Sequence, residues 1–331
     1  MKKAMRVLLA GFLACAALCG CGKETSGRTP VTLYEVAHSI FYAPQYAAIE
    51  LGYFQEEGID LTLVNGAGAD KVMTALISGD AQIGFMGSEA SIYVSQEGAD
   101  DPAVNFAQLT QRAGNFLVGR TAQPDFKWED LKGKKVLGGR AGGMPQMVFE
   151  YILKKHGIDP KTDLTIDQSI SFGLTAAAFT SGDADYTVEF EPFATTLEME
   201  NCGTVVASLG RDSGYVPYTA YCAKKSYMEK NPQLIQKFTN AIQKGLDYVN
   251  SHSAWEIAKT IQPQFKDTPV EKIAAIIDRY KSQDTWKEDT IFEKDSFELL
   301  ENILEESGEL KKRVPYEDLV RTDFSINAAK K

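Results

Sequence analysis

Histidine and cysteine are scarce in this chain: 331 residues hold three histidines, His38, His156 and His252, and five cysteines. No Cys-x-x-Cys pair or spaced Cys/His set occurs, which excludes the common structural zinc sites. Three cysteines (Cys15, Cys19, Cys21) crowd into the first 21 residues. Cys202 and Cys222 remain for the body, either as one disulfide or as two buried thiols. Gly-x-Ser-x-Gly and a Walker-type Gly-Lys-Ser/Thr are both missing, and Gly66-Ala67-Gly68-Ala69-Asp70-Lys71 opens like a dinucleotide turn but has Lys71 where the third glycine belongs. Positive charge is short as well, 35 basic against 45 acidic groups for a net −10. The cluster Lys132, Lys134, Lys135 reads as a loop rim and Lys311-Lys312-Arg313 as a solvated helix end. With no basic face, nucleic acid is excluded as a partner.

What is present begins at the amino terminus. Lys2, Lys3 and Arg6 precede an uncharged run of 13 residues, Val7 to Cys19, which is shorter than the ~20 apolar residues of a membrane helix. A basic start, a short apolar core and a small residue at the cut make an export signal. Its ending, Leu18-Cys19-Gly20-Cys21, resembles the lipobox of bacterial lipoproteins, which implies cleavage before Cys21 and acylation of its thiol and new amino group. An ordinary secretory cut and an uncleaved anchor are the alternatives; all three place the body outside the cytoplasmic membrane. Residues 1–20 carry three basic and no acidic groups, so the mature chain has 35 − 3 = 32 basic against 45 acidic, a net −13. Its 331 − 20 = 311 residues suit two domains. Residues 21–29 are small and polar and read as a flexible spacer behind the lipid.

From Pro30 the chain alternates strands and helices, the pattern of doubly wound parallel sheets. Val31–Val36 is a strand, Tyr42–Tyr53 a helix and Ile59–Val64 a strand. Asp70–Ile77 is a helix, Gln82–Met86 a strand, and a further helix starts at Gly87-Ser88-Glu89. The pattern restarts with the strand Lys134–Gly138, the turn Gly142-Gly143-Met144-Pro145 into a helix ending near His156-Gly157, the strand Leu164–Ile166, and a helix around Leu174–Phe179. Ser78-Gly79-Asp80-Ala81 and Ser181-Gly182-Asp183-Ala184 repeat one turn about a hundred residues apart, between a helix and a strand each time. Two similar α/β lobes account for the echo. Beyond a strand at Tyr218–Ala223 the remainder is helical. Leu234, Ile235, Phe238, Ile242, Leu246 and Val249 form one stripe, and further patterns at Val270–Tyr280 and Phe297–Glu306 are expected to pack on the first lobe.

Several short motifs run in order through this layout: Phe41-Tyr42-Ala43-Pro44-Gln45-Tyr46, then Leu51-Gly52-Tyr53-Phe54, then Glu57-Gly58-Ile59-Asp60-Leu61. The series continues with Ser-Gly-Asp-Ala-Gln-Ile-Gly from Ser78, Asp130-Leu131-Lys132-Gly133-Lys134-Lys135-Val136, Glu191-Pro192 and Asn231-Pro232-Gln233-Leu234-Ile235. Over roughly residues 30–250 the chain resembles the solute-binding proteins of ABC importers in the sulfonate, taurine and thiamine-pyrimidine group. The resemblance implies a type II periplasmic-binding fold of class α/β. Lobe 1 would comprise residues 30–114 and 215–331, and lobe 2 residues 115–214. Crossings would lie near Thr110–Val118 and Gly210–Ala220, with a ligand between lobes that close by a hinge motion. It also implies a membrane permease and its ATPase as partners. The body is expected to be a monomer that needs no cofactor.

In open α/β sheets ligands sit beyond the carboxyl ends of strands, near helix N-termini. That rule selects His38, Ser39, Phe41 and Tyr42 after the first strand, and Ser88 and Glu89 in the first lobe. From the second it takes Arg140, Gly142 and Gly143, then Glu189, Glu191 and Phe193. Arg112, Asn115, Tyr215 and Tyr218 at the crossings would close the floor. Gly142-Gly143 allows close backbone approach. Arg140 suits an acidic group, and the aromatics suit a flat ring. Glu189 and Glu191 alternate with Phe190 and so both face the cleft if Phe190 faces the core; the alternative is that one of them only caps a helix or braces the hinge. Paired acids favour a ligand bearing amino or N–H donors, such as a pyrimidine, over an alkanesulfonate, taurine or nitrate anion. Thiamine-pyrimidine binders carry an Asp-Trp-x-Pro-Asn type sequence after the first strand, whereas this chain has Val36-Ala37-His38-Ser39-Ile40. Two other classes of function remain: a ligand sensor for a membrane receptor, and an enzyme like the eukaryotic pyrimidine-forming relatives, whose cysteine-rich run and histidine this chain does not show.

Overall fold

Residues 27–139, 141–170 and 173–330 are described by a computed structural model. The signal segment, Cys21 and Arg140 lie outside the described residues. Among the described residues ten strands follow one another: β1 (Thr29–Glu35), β2 (Ile59–Asn65), β3 (Ile83–Met86), β4 (Ala103–Thr110), β5 (Phe116–Gly119), β6 (Lys135–Leu137), β7 (Thr165–Asp167), β8 (Tyr186–Glu189), β9 (Thr204–Ser208) and β10 (Thr219–Lys224). They build two sheets, ordered β2-β1-β3-β10-β4 and β7-β6-β8-β5-β9. In the first, β1 runs parallel to β2 and β3, while β10 lies antiparallel between β3 and β4. The second repeats this with β6 parallel to β7 and β8, and β5 antiparallel between β8 and β9.

The internal echo maps onto that equivalence. Ser78-Gly79-Asp80-Ala81 leads into β3 and Ser181-Gly182-Asp183-Ala184 into β8, the matching central strands. The two turns use different backbones. Gly79 ends its helix left-handed at φ +90, whereas Gly182 is extended and sits where a Cβ would lie 2.7 Å from the Ala178 carbonyl oxygen. Strands β4 and β9 carry no alternating pattern, because all eight residues of β4 are buried on both faces and all five of β9 are half-buried.

Each sheet contributes one lobe, and the chain passes between them after β4 and before β10. The two passages are pressed together. The Leu209 amide donates to the Asn115 carbonyl (3.1 Å) and Arg112 Nη1 donates to the Gly210 carbonyl (3.1 Å). At Gly210 a Cβ would meet the Ala113 carbonyl oxygen at 2.4 Å. Gly210→Ala must therefore push the two passages apart. We expect it to cost about 1–3 kcal/mol, the usual range for overpacking a tight interior, read as a lower thermal midpoint; an unchanged midpoint would show that the passages are not in contact.

The helical remainder covers the first lobe and reaches the second. In the helix Pro232–Ser251 the stripe residues Ile235, Phe238, Ile242, Leu246 and Val249 are fully buried. Gly245 lets this helix touch the helix Ala43–Glu50, since a Cβ there would lie 2.2 Å from the Pro44 carbonyl oxygen. The helix Val270–Ser282 packs on the Ile40–Tyr42 turn, as the apolar pattern predicts. By contrast, the helix Lys294–Ser307 also faces the second-lobe helix Met144–Lys155, with Lys154 donating to the Glu306 carbonyl. Cys202 and Cys222 are free thiols rather than a disulfide; burial in β10 pushes the Cys222 thiol up to about 12. No helix among the described residues is long and apolar enough to cross a membrane.

Candidate functional site

The carboxyl ends of the parallel strands in both sheets point into one cleft. From the first lobe its wall takes Val36, Ala37, Ser39 and Tyr42 after β1, Gly68 and Ala69 after β2, and Gly87 and Glu89 after β3. From the second come Gly139, Gly143, Met144 and Pro145 after β6, Gly173 and Thr175 after β7, and Val188, Glu189, Phe190 and Phe193 along and after β8. Asn115 and Tyr218 close the floor, joined by a 2.6 Å bond from the Tyr218 hydroxyl to Asn115 Oδ1. The cavity between the walls is about 130 Å³, many times the ~10–15 Å³ that one water needs.

Glu189 is the chemical centre of this wall. Its side chain is 1% exposed. Oε1 accepts from the Thr187 hydroxyl (2.6 Å) and Oε2 from the Thr175 hydroxyl (3.0 Å). Burial raises the carboxyl to about 7 against the opposing pull of those two hydroxyls, so the free cleft holds a group poised between acid and carboxylate at neutral pH. Facing it, the Tyr42 phenol is held well above its ordinary range by burial and then by the carboxylates of Glu35 and Glu89. Tyr218 is raised by burial, with Tyr42 and Glu89 reinforcing it. Both phenols are therefore neutral, and Tyr42 stacks edge-on against Phe85 at 4.5 Å. Among the described residues the cleft wall carries two carboxyl side chains and no lysine, arginine or histidine.

Of the residues the sequence nominates, Ser39, Tyr42, Glu89, Asn115, Gly143, Glu189, Phe193 and Tyr218 reach the cleft wall. The others among the described residues are used elsewhere. His38 turns behind the wall, where Nδ1 meets Glu35 Oε1 at 2.8 Å, Nε2 meets the Gln264 carbonyl at 2.9 Å, and the ring stacks on Phe265. Burial pulls its pKa down, but the Glu35 and Gln264 hydrogen bonds outweigh that and leave it raised. Phe41 is wholly buried among Tyr42, Phe190, Tyr218 and Tyr280. Ser88 donates to the Pro217 carbonyl and so braces a passage between lobes. Gly142 lies just off the wall, its carbonyl accepting from Tyr93 across the lobes (3.4 Å) and its amide donating to Gln146 Oε1 (2.9 Å). Arg112 lies over the Tyr215 ring at 4.2 Å, and the half-exposed Tyr215 donates to Asp284 Oδ2 (2.7 Å), so neither belongs to the cleft wall.

Glu191 is the largest departure. It is 1% exposed and absent from the cleft wall; its Oε1 accepts from Arg279 Nη1 (2.6 Å) and the Thr195 hydroxyl (2.9 Å), and its Oε2 from the Thr195 amide (2.9 Å). Strand β8 ends at Glu189, so the alternation that would place Glu191 beside it does not extend that far. Phe190 lines the cleft instead. Gly68, Ala69, Gly173 and Thr175 escaped the sequence reading, although the strand-end rule applied to β2 and β7 reaches all four.

Residues 40–254 match the profile of the family described as NMT1/THI5 like. A Bacillus subtilis protein named "Putative binding protein YtlA" is 47% identical over 93% of this chain and 92% of its own length. The 4-amino-5-hydroxymethyl-2-methylpyrimidine phosphate synthase THI5 of Saccharomyces cerevisiae is 23% identical over 69% of each chain. Among solved structures, the periplasmic aliphatic sulphonate binding protein SsuA from Escherichia coli superposes with a TM-score of 0.69 at 17% identity, covering 91% of this chain and 99% of that one. At that identity the likeness shows a shared periplasmic-binding fold and no more.

Proposed function

The chain belongs to the NMT1/THI5-like family, and from that premise we propose that it is a solute-binding protein of an ABC importer. It captures a small nitrogen heterocycle with amino donors, of the thiamine-pyrimidine kind, in the interlobe cleft and delivers it to a membrane permease driven by a separate ATPase. The observation that carries this reading is the Glu189 carboxyl at the centre of a mainly apolar, aromatic wall. A sulfonate or nitrate would meet carboxyl groups there, which cost rather than gain energy next to an anion. A protonated ring nitrogen or an amino group would instead meet an acceptor, with Phe193 and Tyr42 flanking the ring. Binding rather than catalysis is supported by the 47% identity to the protein named "Putative binding protein YtlA". The lipobox-like start supports an extracytoplasmic body tethered through acylated Cys21.

Thermal denaturation of residues 22–331 tests the reading. At a hundredfold excess over its dissociation constant, 4-amino-5-hydroxymethyl-2-methylpyrimidine should add ~2.7 kcal/mol by mass action, while taurine and nitrate leave the midpoint in place. Stabilisation by the anions and none by amine-bearing heterocycles would reverse the assignment.

A further inference from the structure

The helix Val270–Ser282 packs on the first lobe, yet two of its long side chains end on the second. Arg279 makes a fork: Nη1 reaches Glu191 Oε1 (2.6 Å) and the Thr195 hydroxyl (3.3 Å), and Nη2 reaches Glu198 Oε2 (2.5 Å). About two turns towards the amino end, Lys272 Nζ donates to the Thr196 hydroxyl (2.6 Å). All four partners lie on or just before the short helix Phe193–Met199. The first lobe adds a further tie there, the Ser39 hydroxyl donating to the Glu191 carbonyl (3.0 Å).

We propose that Arg279 is a positioning residue for the cleft: its charge holds the segment Glu189–Phe193 against the first lobe and so sets how often the unliganded protein is closed. Phe190 and Phe193 line the cleft and flank Glu191 on either side. A carboxylate as deeply buried as Glu191 needs its cation, because desolvation leaves an unpaired charge far costlier than a paired one. Opening the lobes draws Arg279 away from Glu191. The ion pair therefore biases the hinge towards closure before any ligand arrives, and a ligand finds Phe190 and Phe193 already in place. The half-exposed arm to Glu198 is open to screening, so salt weakens the bias.

That these residues position a binding wall rests on the cleft being the ligand site, but the test needs no ligand and so fails or succeeds separately. Small-angle scattering and amide hydrogen exchange are compared for the unliganded protein and for Arg279→Met, Arg279→Lys and the double variant Glu191→Gln/Arg279→Met, which leaves only the partly exposed Glu198 without its cation. The expected result is a larger radius of gyration for Arg279→Met and for the double variant, and exchange about tenfold or more faster at the Thr195 amide. Arg279→Lys should restore part of both, and added salt should open the wild type but not the methionine variants. A folded double variant with the wild-type radius and wild-type protection at Thr195 would overturn the proposal, as would a radius that does not respond to salt in the wild type.

Discussion

Replacing Glu189 by glutamine should abolish the binding of an amine-bearing heterocycle, weakening it about a hundredfold or more, while leaving the protein more stable than before. The loss follows from the acceptor role. An amide offers one carbonyl oxygen, already claimed by Thr187 or Thr175, and no negative charge for a cationic ring nitrogen. The gain in stability follows from burial. The carboxyl titrates at about 7 in the folded chain against an ordinary value of 4.5. A group raised in this way contributes its stability in full below the unfolded value and loses it as pH rises through the folded one. Wild-type stability should therefore decline between about pH 4.5 and 7 and level off above, and Glu189→Gln should remove that decline. The difference at pH 8 should be about 1–3 kcal/mol in the variant's favour, since part of the shift is returned by the lost hydroxyl bonds. Urea unfolding at pH 5 and pH 8 reads it directly: equal slopes of stability against pH in the two proteins would show that Glu189 is not buried as an acid. Ligand affinity should fall as pH drops below about 7, because protonation of the free cleft competes with the ligand's own proton.

Glu191→Ala should have the opposite profile, a large loss of stability with the cleft wall chemically intact. Removing this carboxylate leaves Arg279 with Glu198 as its one remaining carboxylate partner and takes the acceptor from the Thr195 amide. Breaking a buried ion pair on one side costs about 3–5 kcal/mol, enough to consume much of a domain's stability. Chemical denaturation measures it, and a cost under about 1 kcal/mol would mean that the pair is solvated in solution. The contrast between the two glutamates, two residues apart, separates a binding carboxylate from a structural one: Glu189 faces Thr175 and the cleft, Glu191 faces Arg279.

That contrast also marks where sequence reasoning ended. The lobes were legible because period-two and period-3.6 stripes alternate in order, and because Ser-Gly-Asp-Ala recurs before β3 and β8. The strand-end rule found Ser39, Tyr42, Glu89, Gly143 and Glu189 because backbone direction alone carries those positions to the cleft. It could not foretell side-chain direction in the loops. His38 follows β1 as directly as Ser39 does, but Glu35, three residues back at the end of β1, captures its ring. Tyr215 and Arg112 belong to the crossing segments, yet their partners, Asp284 and Gly210, hold them off the cleft wall. Glu191 was misread for a related reason: its partner lies 88 residues away on a helix whose amphipathic pattern announces only a buried face.

The most direct measurement is native mass spectrometry of the soluble form, residues 22–331, isolated from the extracytoplasmic fraction of an expressing bacterium, before and after mild denaturation. The account predicts a released small molecule with a basic ring nitrogen or amino group, present with the wild type and missing from Glu189→Gln prepared in parallel. A released sulfonate or nitrate, or the same molecule retained by Glu189→Gln, would contradict it.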